Sequence, residues 1–234
     1  MRTRIALLPL FMLSTVGFLG CTSPEEDSCN IKTAGIYVEY EVLHQGTSAK
    51  AKATFWVGDK PGGTFLTLGS CGDNITVNGQ AMKKNTSDID HDYYEANLSQ
   101  TDSYDFVFTR EDEDPYSSTV SPPPAVNVTG PSGESIARTD GFDVTWEAGS
   151  GNIKLLIKGD CIKSYPKVLG DSVPDNGTHT VNAGAIEPFV SSDEDKSCTA
   201  DVELTRGNGG SLHPSLKGTI KAESVGTTSF TSTP

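Results

Sequence analysis

Basic residues are scarce in this chain of 234 residues: 18 lysines and arginines stand against 31 aspartates and glutamates, a formal net charge of −13. An acidic surface repels phosphate, which argues against nucleic acid as a partner. Histidine is scarcer still, with His44, His91, His179 and His213 the only four. None is spaced for a helical metal site, and each sits in a polar, turn-like stretch that reads as solvated loop. The chain carries no GxSxG elbow, no GxxxxGK[ST] phosphate loop and no GxGxxG after a strand. A hydrolase with a dispersed carboxylate site stays open as an alternative, because many pairs among 31 acids could meet in space. Nothing else argues for catalysis, and the expectation is a protein that is not an enzyme.

Helical periodicity is missing after residue 21, and the one long apolar run is confined to the first twenty residues. Arg2 and Arg4 precede it, Ile5 to Gly20 form it, and Cys21, Pro24 and two glutamates follow it. The run is shorter than the roughly twenty residues a spanning helix needs. Its order, charged then apolar then small, is that of an export signal. Gly20 and Cys21 resemble the lipobox of bacterial lipoproteins, in which the cysteine is lipidated and becomes the first mature residue. Phe18 and Leu19 stand where that family usually has Leu and a small residue. The resemblance implies loss of residues 1–20, acyl chains on Cys21 and the membrane as a partner through that lipid. Thr22, in place of the Asp that marks inner-membrane retention, implies the outer membrane. Each buried methylene gains about 0.8 kcal/mol, so several acyl chains hold stably. Residues 21–28 then read as a lipidated polar tether.

Five cysteines leave one to explain in an exported chain. With Cys21 assigned to lipid, Cys29, Cys71, Cys161 and Cys198 form an even set in an oxidising compartment. Three pairings are possible. Cys29 with Cys71 and Cys161 with Cys198 is favoured, because each bridge then stays within one of the two units described next. Metal ligation is the competing use, but no two of these cysteines have the close spacing that zinc prefers.

What the chain has in quantity is alternation. In IYVEYEVL, Ile36, Val38, Tyr40 and Val42 face one way; in AKATFWV, Ala51, Ala53, Phe55 and Val57 do the same. Shorter candidates follow at FLTL, ITV, YYEANL and YDFVFTR, and after residue 140 at FDVTW, IKLLIKG, THTV, TADVELT and GTIKAES. Between these groups lies EDEDPYSSTVSPPP, whose acids resist burial and whose prolines withhold backbone donors, as suits a boundary. The expected organisation is all-β: two antiparallel β-sandwich domains, 29–118 and 119–234. Residues 122–159, with AVNVT, Trp146 and a third strand after a short turn, resemble the start of a fibronectin type III or immunoglobulin-like domain. Trp146 precedes Cys161, whereas the antibody core Trp follows the first cysteine. The layout as a whole resembles bacterial surface lipoproteins that carry no assigned activity.

Two clusters suggest ligands. In SDIDHDYYE, carboxylates Asp88, Asp90, Asp92 and Glu95 could turn inward on calcium, with a solvated acidic loop as the alternative. No other cofactor is expected. Tyr93 and Tyr94, with Tyr104, could form an aromatic platform for a protein or glycan, the alternative being packing within a sheet. The expected role is a lipid-anchored surface protein acting as a binding or structural interaction module, with a passive spacer as the second reading.

Overall fold

The computed structural model describes residues 25–69, 71–86, 92–166 and 172–234. Ten strands precede the proline triplet: β1 (Glu25–Asp27), β2 (Ile36–Gln45), β3 (Ser48–Val57), β4 (Phe65–Thr67), β5 (Asn74–Val77), β6 (Gln80–Ala81), β7 (Lys83–Thr86), β8 (Asp92–Ser99), β9 (Tyr104–Thr109) and β10 (Tyr116–Val120). Nine follow it: β11 (Val128–Gly130), β12 (Ser135–Ala137), β13 (Phe142–Trp146), β14 (Asn152–Gly159), β15 (Ile162–Tyr165), β16 (Ser172–Pro174), β17 (Thr178–Val181), β18 (Cys198–Gly209) and β19 (Lys217–Thr233). Short 3₁₀ turns are the only helical elements among the described residues. The protein is all-β and β-sandwich-like.

One large sheet runs through the molecule in the order β1-β4-β3-β2-β19-β18-β14-β15, with β8 and β7 added beside β3, β12 beside β19 and β16 beside β14. Two small sheets, β10-β9-β5-β6 and β11-β13-β17, cover it. The alternation in the sequence explains the first contact. Ile36, Val38, Tyr40 and Val42 of β2 and Ala49, Ala51, Ala53 and Phe55 of β3 are all buried on one face. The alanines leave room for rings from the four-stranded sheet: Tyr40 stacks on Phe106 at 4.7 Å and Phe55 meets Phe108 at 5.0 Å. A second cluster joins Leu155, Ile157, Val202, Leu204 and Phe230 of the large sheet to Val144, Trp146 and Val181 of the three-stranded one.

The 17-residue strand β19 serves both clusters. Ile220 and Ala222 belong to the first and Phe230 to the second. These positions share the same parity, so both small sheets rest on the same face of the large one. Leu216 also enters the first cluster, although it lies almost a hundred residues beyond the proline triplet. The β18–β19 hairpin therefore reaches from the second half of the chain into the core built by the first.

Two expectations change. The small sheets are antiparallel, but the large sheet is mixed: β19 is parallel to β2, β1 to β4 and β12 to β19. Adjacent antiparallel strands can be joined by tight turns, whereas β2 and β19 come from opposite ends of the chain and need none. The stretch read as a boundary contains β10, paired with β9 over five residues. Ser118 and Val120 of β10 are buried, so alternation outweighs the acids that precede it.

Two disulfides are present, Cys29–Cys71 and Cys161–Cys198, in the favoured pairing. Each closes the end of one cluster. Beside the first, buried Arg110 donates to Asp73 Oδ2 (3.1 Å), Thr33 Oγ1 (2.8 Å) and the Ser28 carbonyl (2.8 Å), fixing the entry of the chain into β2.

Candidate functional site

Of the four carboxylates read as a calcium cluster, two fall among the described residues. Asp88 and Asp90 lie outside them, as do His91 and Cys21. Asp92 and Glu95 lie on β8 three residues apart, which turns their side chains to opposite faces of the strand. Asp92 pairs with Lys84 at 2.7 Å and Glu95 with Lys50 at 2.6 Å. The hydrogen bond from Lys50 holds the Glu95 carboxyl below its usual range. Register extends this pairing over the open face of the large sheet: Lys83, Glu95, Lys52, Glu41 and Lys221 stand opposite one another in turn across five strands. Alternating signs at this spacing neutralise each other.

The tyrosines separate in the same way. Tyr94 is buried and its hydroxyl accepts from the Leu68 amide at 2.6 Å. Tyr104 is buried in the first cluster. Tyr93 is half-buried on the other face, with Lys52 Nζ 4.6 Å from its ring centroid and its hydroxyl accepting from Asn85 at 3.1 Å. One of the three is thus accessible, and a lysine covers it. No shared aromatic platform forms.

A site missed in the sequence lies at the waist, where the chain crosses between the two small sheets through Pro122–Val126. The crossover presses on β19 at Gly226, where any Cβ would collide with the Val126 backbone. Ser224 Oγ donates to the Pro123 carbonyl at 2.8 Å. Three clefts flank it. One of about 390 Å³ is lined by His44, Gln100, Thr101, Asp102 and the prolines; a second of about 260 Å³ shares His44, Gln100 and Ala125. The third, about 240 Å³, lies toward Arg206 and Asn208.

Two buried polar groups wall this waist. His44, read from sequence as solvated, ends the inward series of β2 and is 9 % exposed. Continuing Ile36, Val38, Tyr40 and Val42 by two would have found it. Its Nε2 lies 2.6 Å from the Tyr104 hydroxyl, which also accepts from the Thr101 amide at 3.1 Å. Burial lowers the affinity of His44 for a proton. The unfolded chain therefore binds the proton more tightly, and stability is full above the ordinary imidazole range, near 6.5, and declines as pH falls below it. We expect the melting temperature to drop between pH 7 and pH 5 and the slope to lessen in His44→Gln. Burial shifts His179 in the same direction, so part of the slope persists in that variant. An unchanged slope in His44→Gln would show that the imidazole is not the group responsible.

On the other side of the crossover, Asp175 accepts from Arg206 Nε (2.6 Å), Arg206 Nη2 (3.0 Å) and Trp146 Nε1 (2.7 Å). Arg206 also donates to the carbonyls of Ala125, at 2.9 Å, and Glu147. A single guanidinium thus joins the large sheet, the crossover and the three-stranded sheet. Both carboxylate and guanidinium are desolvated and paired, an arrangement that holds structure.

Comparison with protein families, with curated proteins and with solved structures found no match to this chain.

Proposed function

We propose that this protein is a lipid-tethered, extracytoplasmic interaction module of two immunoglobulin-like sandwiches that carries a contact end away from the membrane. The position of β1 supports this reading. β1 lies beside β4, and residue pairing leads from Phe65 through Trp56 and Tyr37 to Lys217. The first described residues therefore sit level with the start of β19. Thr22, Ser23 and Pro24 are all that separate Cys21 from Glu25, at most about 14 Å of extended chain. From there β19 runs for 17 residues, about 50 Å at the usual strand rise.

An acylated Cys21 holds one end of that strand at the bilayer and sends the other outward. The acidic surface keeps the body off anionic headgroups. A passive spacer would have the same geometry; the apolar groups exposed at the far end favour contact over spacing.

Mass spectrometry of the mature protein is expected to find acylated Cys21 as its first residue. An unmodified thiol at Cys21, or a mature chain that begins elsewhere, overturns the anchor.

A further inference from the structure

We infer that the loop at the far end of the second cluster is a preformed contact surface for a protein partner whose apolar socket is rimmed by basic side chains. Phe189 is 60 % exposed and Val190 47 %. The other exposed large hydrophobic among the described residues is Leu43, which stands by itself on the open face of the sheet. Isolated exposure needs no explanation, but an adjacent aromatic and branched aliphatic pair held in water does.

The pair is held from every side. The Phe189 amide donates to the Cys161 carbonyl at 3.0 Å, and the Lys163 amide to the Glu187 carbonyl at 2.8 Å. Ile186 is buried in the second cluster just before the pair, and the Asp193 amide donates to the Val190 carbonyl at 2.9 Å just after it. Arg138, itself 7 % exposed, donates to the carbonyls of Asp193 (3.0 Å), Glu194 (3.1 Å) and Lys196, and to Ser232 Oγ (3.3 Å). The Cys161–Cys198 bridge closes the base of the same loop.

A disulfide, a buried cation and a series of backbone hydrogen bonds thus fix a loop whose two apolar side chains keep about half of their surface in water. Fixing them lowers the ordering cost that association would otherwise meet. Aromatic side chains held at a surface in this way are the usual anchors of protein interfaces.

The surroundings select the partner. Glu194 and Asp195 are exposed beside the pair, and Glu187 and Asp193 flank it, Glu187 with Lys163 at 2.9 Å and Asp193 with Lys196 at 2.7 Å. This excess of acid opposes an anionic lipid surface and a second copy of a chain that is itself acidic. A basic rim around an apolar pocket complements it. The inference rests on the proposed function only for the distance from the membrane, not for the contact.

The test uses the full chain in its own cells, with the photoreactive residue p-benzoylphenylalanine in place of Val190, and in a separate chain in place of Leu43. Irradiation is expected to give one discrete protein adduct from position 190 and none from position 43. Its yield should fall about 30-fold or more on Phe189→Ala, and comparably when Glu194→Lys and Asp195→Lys are combined. Purified Phe189→Ala should melt with the wild type, since that ring is in solvent.

An adduct of twice the chain mass, an adduct to lipid, equal labelling from position 43, no adduct, or an adduct indifferent to these substitutions overturns the inference. An unmodified Cys21 with the adduct retained marks a failed anchor, and an acylated Cys21 without the adduct marks a failed contact.

Discussion

Residues 29–118 produced alone are expected to lack cooperative folding, although they contain twelve buried apolar positions of β2, β3 and β9 and a complete disulfide. The missing part is the start of β19. Leu216 and Ile220 each contribute about 1.5–3 kcal/mol on burial and Ala222 less, against the 5–15 kcal/mol of a typical domain. The nine residue pairs that join β19 to β2 are lost with them. Their loss leaves β2 as a long, exposed edge, open to pairing with other chains. Circular dichroism should show strand content without a sharp thermal transition. A fragment carrying residues 211–226 as a further strand should regain that transition. A sharp melt and a native near-ultraviolet spectrum from 29–118 by itself would show that the first cluster does not depend on the end of the chain.

Asp175→Ala is expected to destabilise the protein by about 3–5 kcal/mol, because it leaves Arg206 desolvated without its counter-charge and frees the Trp146 indole N–H. Replacing both partners with apolar residues, Asp175→Leu with Arg206→Met, should cost less than the single change, with the difference measured by a double-mutant cycle. The same pair sets a dependence on acid. Hydrogen bonding from Arg206 holds the Asp175 carboxyl below its usual range. A carboxyl of this kind contributes fully above the ordinary aspartate value, near 3.9, and its contribution is lost as pH falls through the lower folded value. Acid unfolding of the wild type should accordingly be steeper below about pH 4 than that of Asp175→Ala. Equal steepness would place the acid sensitivity elsewhere.

Much of the strand pattern was legible because a half-buried strand writes its geometry in every second residue. Ile36 through Val42 and Ile153 through Ile157 face the core as alternation requires. The disulfides were legible as well, since four cysteines remained once Cys21 was set aside and one pairing kept each bridge within one of the two expected units. Sequence distance misled where contacts are non-local. Nothing in GTIKAES says that its partner is IYVEYEVL, almost two hundred residues earlier, so the parallel pairing of β19 with β2 could not be read. Polarity misled at His44 and Ser118, which are polar residues at inward positions with internal partners. Two members of the acidic segment, Asp92 and Glu95, take lysine partners, Lys84 and Lys50, from neighbouring strands, pairings that the segment itself does not carry. Phe189 carried no signal, because exposure depends on what packs nearby and not on the residue.

Because β19 runs nearly the whole length of the molecule, with β18 paired to it over twelve residues and β2 over nine, it is also the path for mechanical load. Tension between the β1 end and the Cys198 end pulls along these strands, so their hydrogen bonds bear it in shear, many together, and do not peel apart singly. The body is stiff lengthwise, and a tug at its tip reaches its base through a single continuous element.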